Sequence, residues 1–287
     1  MLDQLVAEGV TYGNYSHLTA AGGIRDLVAR VARLLADPER GYAILDVGSP
    51  VDADPLLADR ARLLLVILGT QFGQTVTKNH LSDSPFFSVF LRREGKGGKY
   101  IGNALSNNRP GVHTDGSALH DVRVDFMGLL CVRPAKYGGE SIVVNALRVF
   151  SQLPAEVESF LVQFPFVRQN PYEPENPIPV RHTVYHQIET PFYSGLGIRY
   201  HRTRIEGGHR LVGEPLDPEA IHALDTLDRG LYAPSNGHRF LLRSGTMLLA
   251  NNHVVCHDRT EFEDHLEAPR LLERYWSGEC LDSPRCR

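Results

Sequence analysis

The chain has 287 residues, of which 42% are apolar and 22% charged. That composition excludes a disordered chain, because burial of so much apolar surface offsets chain entropy. Thirty basic against thirty-four acidic residues give a formal charge of −4, with no basic run for nucleic acid.

Ile24, Leu27, Val28, Val31 and Leu35 recur at helical spacing, with Arg25, Arg30 and Arg33 on the other face and Pro38 as a stop. Residues 41–47 read as a strand ended by Gly48, Ser49 and Pro50. A second helix is predicted over Pro55–Gly69, with proline in its first turn and a nearly all-round apolar end. Its richest apolar run, 63–68, is far shorter than the ~20 residues a bilayer needs. The N-terminal segment has no basic region leading into an apolar stretch, so neither a span nor a signal peptide is expected, and the predicted location is cytoplasmic. Residues 91–110 are polar and glycine-rich, which predicts a loop long enough to serve as a lid. Segments 124–133, Ser141–Asn145, 181–188, 197–200 and Thr246–Asn251 are strand-like, interrupted by helical spacing over 153–164 and Pro218–Leu231. Helices first and then many short strands predict a sandwich or barrel decorated by helices, as one domain over 1–287. Cys131, Cys256, Cys280 and Cys286 make no C-x-x-C pair, so reduced thiols are expected ahead of a disulfide between Cys280 and Cys286.

Chemistry is concentrated in three places. In a strand, residues two apart point to one side, so His113 and Asp115 in Gly111-Val-His-Thr-Asp-Gly116 can reach one metal ion together. A distant His would complete a two-His-one-carboxylate set, which leaves open positions and suits non-haem Fe(II). His257 supplies such a residue, at the end of an apolar strand starting at Thr246 and followed by Asp258, Arg259 and Glu261. Further on, Arg270, Leu272, Arg274 and Trp276 share a face if their segment is a strand. Two inward guanidinium groups need anions, and the competing reading is a surface pair with the apolar residues buried opposite. His253 and His257 form H-x-x-x-H, but on a strand they lie roughly 13 Å apart, too far for one ion. His253 therefore reads as a packed or pocket-lining residue.

Together, His113-Thr-Asp115, Gly138-Gly-Glu-Ser-Ile-Val-Val-Asn145, Cys256-His-Asp-Arg259 and Arg270-Leu-Leu-Glu-Arg-Tyr-Trp276 resemble the Fe(II)/2-oxoglutarate-dependent oxygenases of the taurine dioxygenase and clavaminate synthase group. The 142-residue interval between Asp115 and His257 resembles the family's spacing, and the likeness covers most of residues 41–276. The resemblance implies a mainly β fold with flanking helices around a double-stranded β-helix, or jelly-roll, core. It implies Fe(II), 2-oxoglutarate and O2, with His113, Asp115 and His257 as catalytic metal ligands. Arg270 would pair with the far carboxylate of 2-oxoglutarate, where a planar fork fits better than lysine. Ser141 stands where relatives often carry a Thr bonded to the same cosubstrate, and Arg274 would meet an acid group of the prime substrate. Arg259 reads either as an accessory anion contact or as a structural ion pair with Asp258 or Glu261.

The carboxylate is Asp115, whereas clavaminate synthase itself carries Glu, although residues 116–133 look nearer to that branch. Related halogenases have Gly or Ala at this position, so a carboxylate here implies hydroxylation, desaturation or ring formation. The expected substrate is a small polar molecule, first of all an amino acid or derivative, free or carrier-bound, in a biosynthetic pathway. The competing class is a non-catalytic metal-binding jelly-roll protein that binds or senses a ligand. A zinc hydrolase would need a general base at a helical metal motif, and none is identifiable.

Overall fold

A computed structural model describes residues 22–77, 84–90, 108–170 and 178–281. Most of the expected lid (91–107) lies outside these residues. Helix α1 (Gly22–Ala36) buries Ile24, Val31 and Leu35 on one stripe and leads into strand β1 (Tyr42–Asp46). Helix α2 (Pro55–Gly69) is capped by Asp54, whose carboxylate accepts from the Leu56 and Leu57 amides. Every residue of its last two turns from Leu63 onward is buried, as an all-round apolar sequence requires. Strands β2 (Gln74–Val76), β3 (Phe86–Val89), β4 (Val122–Arg133), β5 (Tyr137–Gly138) and β6 (Ser141–Asn145) follow. Then come helices α3 (Ala146–Phe150) and α4 (Ala155–Gln163) and strands β7 (Phe166–Arg168), β8 (Val180–His182), β9 (Tyr185–Glu189) and β10 (Ser194–Ile198). Helices α5 (Arg202–Val212) and α6 (Pro218–Leu231) precede β11 (Gly237–Phe240), β12 (Thr246–Asn251), β13 (Val255–Arg259), β14 (Phe262–Glu263) and β15 (Leu271–Cys280).

The larger sheet runs β1-β12-β4-β15, with β2 and β3 both paired to the outer edge of β15, and all pairs are antiparallel. The smaller sheet is β11-β6-β13. Strict alternation along β12 sends Met247 and Leu249 to the α1–α2 side, and Leu248 and Ala250 to the space between the sheets. Val143 and Val255 of the smaller sheet meet Met127, Leu248, Leu272 and Trp276 of the larger one there. Behind the smaller sheet, Val144 and Cys256 pack on Ala146, Leu161 and Leu224 of α3, α4 and α6. Burial contributes about 1.5–3 kcal/mol per large apolar side chain, so these three apolar layers hold the two sheets at fixed separation. The result is mainly β with flanking helices, as expected.

The differences from expectation have local causes. The apolar run from Thr246 to His257 is two strands, broken by a turn over residues 252–254, because the Asn251 and Asn252 side chains take backbone partners there. Residues 181–188 likewise divide between β8 and β9. Helix α5 was hidden by Gly207 and Gly208, which weaken helix propensity. In β4 a bulge places Asp125 outside the ladder, since Ser277 pairs with Phe126 and Gly278 with Val124. Gly278 permits this approach, because a Cβ there would collide with the Arg123 carbonyl. Cys131 and Cys256 are buried thiols, but Cys280 is disulfide-bonded, contrary to reduced thiols throughout. No helix among the described residues is long and apolar enough to cross a membrane.

Candidate active site

His113 and His257 oppose each other across an antiparallel bridge and exchange both backbone hydrogen bonds, at 3.0 and 2.9 Å. Directly opposed residues send their side chains to the same face, and the two rings lie 4.4 Å apart between centroids. Gly111, at a left-handed φ of 84°, turns its carbonyl onto His113 Nδ1 at 2.8 Å. That bond puts a hydrogen on Nδ1 and turns Nε2 toward Asp115, 3.8 Å from Oδ1. His257 Nε2 lies 3.9 Å from the same oxygen.

Asp115 reaches this point differently from the expected strand alternation. His113 is extended, but residues 115–118 form a turn. The turn is held by Asn252, whose side chain accepts from the Asp115 amide at 2.9 Å and donates to the Asp115 and Val124 carbonyls at 2.9 and 2.8 Å. Trp276 Nε1 donates to Asp115 Oδ2 and Arg274 Nη1 to Oδ1, each at 2.8 Å. Thus Arg270, Leu272, Arg274 and Trp276 do share an inward face, and the anion beside Arg274 is Asp115.

His113, Asp115 and His257 each offer a ligand atom within 4.8 Å of the others, and among the described residues this is the one such group of three. Burial opposes ionisation of Asp115, but Arg274, the two imidazoles and the Trp276 hydrogen bond hold its carboxyl below the usual range. Burial, with His113 and Arg274, pushes the His257 imidazole down to about 3, so its ring is neutral with a lone pair to share. Two imidazoles and one carboxylate form a donor set that fits a divalent first-row ion with open positions.

Beside the triad lies a cavity lined by His113, His257, Ser141, Arg259, Arg270, Arg274 and the apolar Leu129 and Leu272. Ser141 faces Arg259 in the β6–β13 register. The Arg259 and Arg270 guanidiniums lie over the Phe262 ring, at 4.5 and 5.1 Å from its centroid. Burial, reinforced by Arg259, lowers Arg270 to about 9, and burial lowers Arg259 to about 10. No described residue accepts a hydrogen bond from the Arg270 guanidinium, the pattern of a cation that awaits an anionic ligand. The Asp258 carboxylate is taken by Arg109 at 2.5 Å, while Arg259 Nη2 donates to the Asn108 carbonyl at 2.6 Å.

Several residues near the centre carried no signal in the sequence. Asn252 and the donor role of Trp276 depend on contacts across 137 and 161 residues. His201 bridges His113 on the side away from His257, with ring centroids 5.0 Å apart, and follows no ligand spacing. His253 is packed, with Nε2 2.7 Å from Asp125 Oδ1, and lines a second cavity that also reaches Asp115, with His182 and His186.

The family model described as "Taurine catabolism dioxygenase TauD, TfdA family" matches residues 61–276. A uridine-5'-phosphate dioxygenase of Streptomyces sp is 30% identical over 271 residues, covering 91% of this chain and 94% of that protein. An FR-33289 synthase of Streptomyces rubellomurinus (strain ATCC 31215) is 26% identical over 256 residues, 86% of this chain and 72% of the relative. Among solved structures, an asparagine oxygenase in complex with Fe(II), hydroxyasparagine and succinate superposes with a TM-score of 0.68 at 19% identity, covering 89% of this chain and 79% of that one. The non-heme iron oxygenase OrfP in complex with Fe and alpha-ketoglutaric acid gives 0.67 at 17% identity, with 96% and 89% covered.

Proposed function

Because the chain belongs to the TauD, TfdA dioxygenase family, an enzyme family working with Fe(II), 2-oxoglutarate and O2, we propose that it hydroxylates a small polar substrate at the His113–Asp115–His257 centre. The observation that carries this reading is the convergence of the triad with a cavity whose buried Arg270 has no carboxylate of its own. We read the two sheets as the jelly-roll core of one oxygenase domain spanning the chain.

In this reading His113, Asp115 and His257 would hold the iron, with Gly111 orienting the first imidazole and Trp276 the carboxylate. Bound iron would supply the oxidising power by which dioxygen converts 2-oxoglutarate to succinate and carbon dioxide while one oxygen atom enters a C–H bond of the substrate. Arg270 binds the far carboxylate of 2-oxoglutarate, Ser141 lies along the same cosubstrate, and Arg259 adds positive charge. Leu129 and Leu272 exclude water from the cavity wall. A filled carboxylate position favours oxygen insertion, or desaturation or ring closure, over halide transfer.

An amino acid or derivative of a biosynthetic pathway is the first substrate class, and the asparagine and arginine oxygenation products named in the neighbours' structures support it. The uridine-5'-phosphate relative, similar over nearly the whole chain, favours a nucleotide as the second class. The test is a screen of free amino acids, carrier-bound amino acids and nucleotides, following succinate formation and a product heavier by one oxygen. Succinate formation that depends on one of these classes supports the reading. No 2-oxoglutarate consumption under Fe(II) and ascorbate with any of them would favour the non-catalytic binding protein instead.

A further inference from the structure

Resting on that metal-site reading, we infer that Arg274 is a positioning residue for Asp115 that works against metal affinity. The guanidinium acts on the carboxylate as a fixed internal cation. Arg274 Nη1 bonds Asp115 Oδ1 at 2.8 Å, and Oδ1 is also the oxygen nearest both imidazole Nε2 atoms, at 3.8 and 3.9 Å. An ion at the centre would therefore share its carboxylate oxygen with a guanidinium.

Neither partner can easily turn away. Oδ2 is held by Trp276 Nε1, so rotating the carboxylate breaks a second bond at 2.8 Å. The Arg274 guanidinium lies over two aromatic rings, 4.5 Å from the Trp276 centroid and 5.0 Å from that of Phe87. Phe87 is its direct partner across the β15–β3 ladder, and Leu129 flanks it across β15–β4. Only 10% of the side chain is exposed. Two cation–π contacts and one charged hydrogen bond fix the group in place.

Two consequences follow from charge. Without metal, Asp115 would be a buried carboxylate with no counter-ion, a costly arrangement, and Arg274 removes that cost so that the centre is preformed. With a divalent ion present, the ligand set plus Arg274 sums to zero formal charge instead of −1, and the ion meets a cation close by. The centre is thus ordered before loading at the expense of tightness.

The test is titration with Co(II) alone, followed by quenching of Trp276, the chain's single tryptophan, which touches both Asp115 and Arg274. Arg274→Gln is expected to bind Co(II) about tenfold more tightly than wild type, through loss of the repulsion. Arg274→Lys, which keeps the charge, should stay within about threefold of wild type. Equal or weaker binding by Arg274→Gln overturns the inference. Should that variant not fold, a crystal structure of the Co(II)-loaded wild type decides it. Arg274 within hydrogen-bond distance of Asp115 is the expected result, and a guanidinium moved off the carboxylate is the contrary one. Failure of the underlying reading looks different, since wild type would then bind no Co(II), or His257→Ala would bind it equally well.

Discussion

The Asn252 side chain brackets Asp115 on both sides of its peptide unit, accepting from its amide and donating to its carbonyl, each at 2.9 Å. A third bond, to the Val124 carbonyl at 2.8 Å, ties the same amide group to β4. The turn carrying the proposed carboxylate ligand is thereby anchored to the larger sheet by a residue at the end of β12.

Asn252→Ala leaves one amide and two carbonyls without these partners in a buried site, and a net loss of about 1–3 kcal/mol per unsatisfied group applies. With three such groups we expect a total loss of at least about 3 kcal/mol in urea unfolding. Turnover should fall by roughly 10- to 100-fold, as for residues that orient metal ligands. Asn252→Asp keeps the acceptor for the Asp115 amide but loses both donated bonds, so it should not restore either property. Wild-type stability and turnover in Asn252→Ala would show that the turn is held by other contacts.

Arg270 gives the clearest kinetic test of the cosubstrate cavity. Removing one partner of a buried charge pair typically costs about 2–5 kcal/mol, so Arg270→Ala should weaken 2-oxoglutarate on the order of 30-fold or more. Arg270→Lys should recover only part of this, because an ammonium lacks the planar fork. The measurement is the apparent KM for 2-oxoglutarate at fixed substrate. An unchanged KM would remove Arg270 from the cosubstrate site.

Much of the scaffold was legible because its signals are local. Pro55–Gly69, Ser141–Asn145, Thr246–Asn251 and Pro218–Leu231 form their elements at the bounds that periodicity and caps indicate. The shared face of Leu272, Arg274 and Trp276 was readable for the same reason, since alternation in a strand needs no tertiary information. Long-range pairing was not readable. That His113 would bridge His257, or that Asn252 would hold the Asp115 turn, depends on strand register across more than a hundred residues. An inward Arg274 was foreseen to need an anion, but composition could not say that Asp115 would be that anion. The Asp125 bulge and the disulfide at Cys280 likewise arise from tertiary placement.

Asp125, at that bulge, predicts how stability changes in acid. Burial opposes its ionisation, but His253 and Arg123, bonded to Oδ1 at 2.7 and 2.6 Å, bring its carboxyl below the ordinary value. A carboxyl lowered by folding contributes stability that is fully present above its unfolded pKa of ~3.9 and is lost as pH falls through the lower folded value. Wild type should therefore lose stability below about pH 4 more steeply than Asp125→Asn, as followed by urea midpoints from pH 6 to 3. Parallel curves for the two proteins would show that the pair carries no pH-dependent stability.

The most direct test of the central claim measures iron content and succinate formation together, in wild type and in His113→Ala, Asp115→Ala and His257→Ala. Wild type should retain Fe(II) and convert 2-oxoglutarate to succinate in the presence of O2 and substrate. Each variant should lose both, by more than the roughly 10- to 100-fold that changes around the ligands cost. A folded His257→Ala protein that kept its iron and its turnover would contradict the assignment of the metal centre.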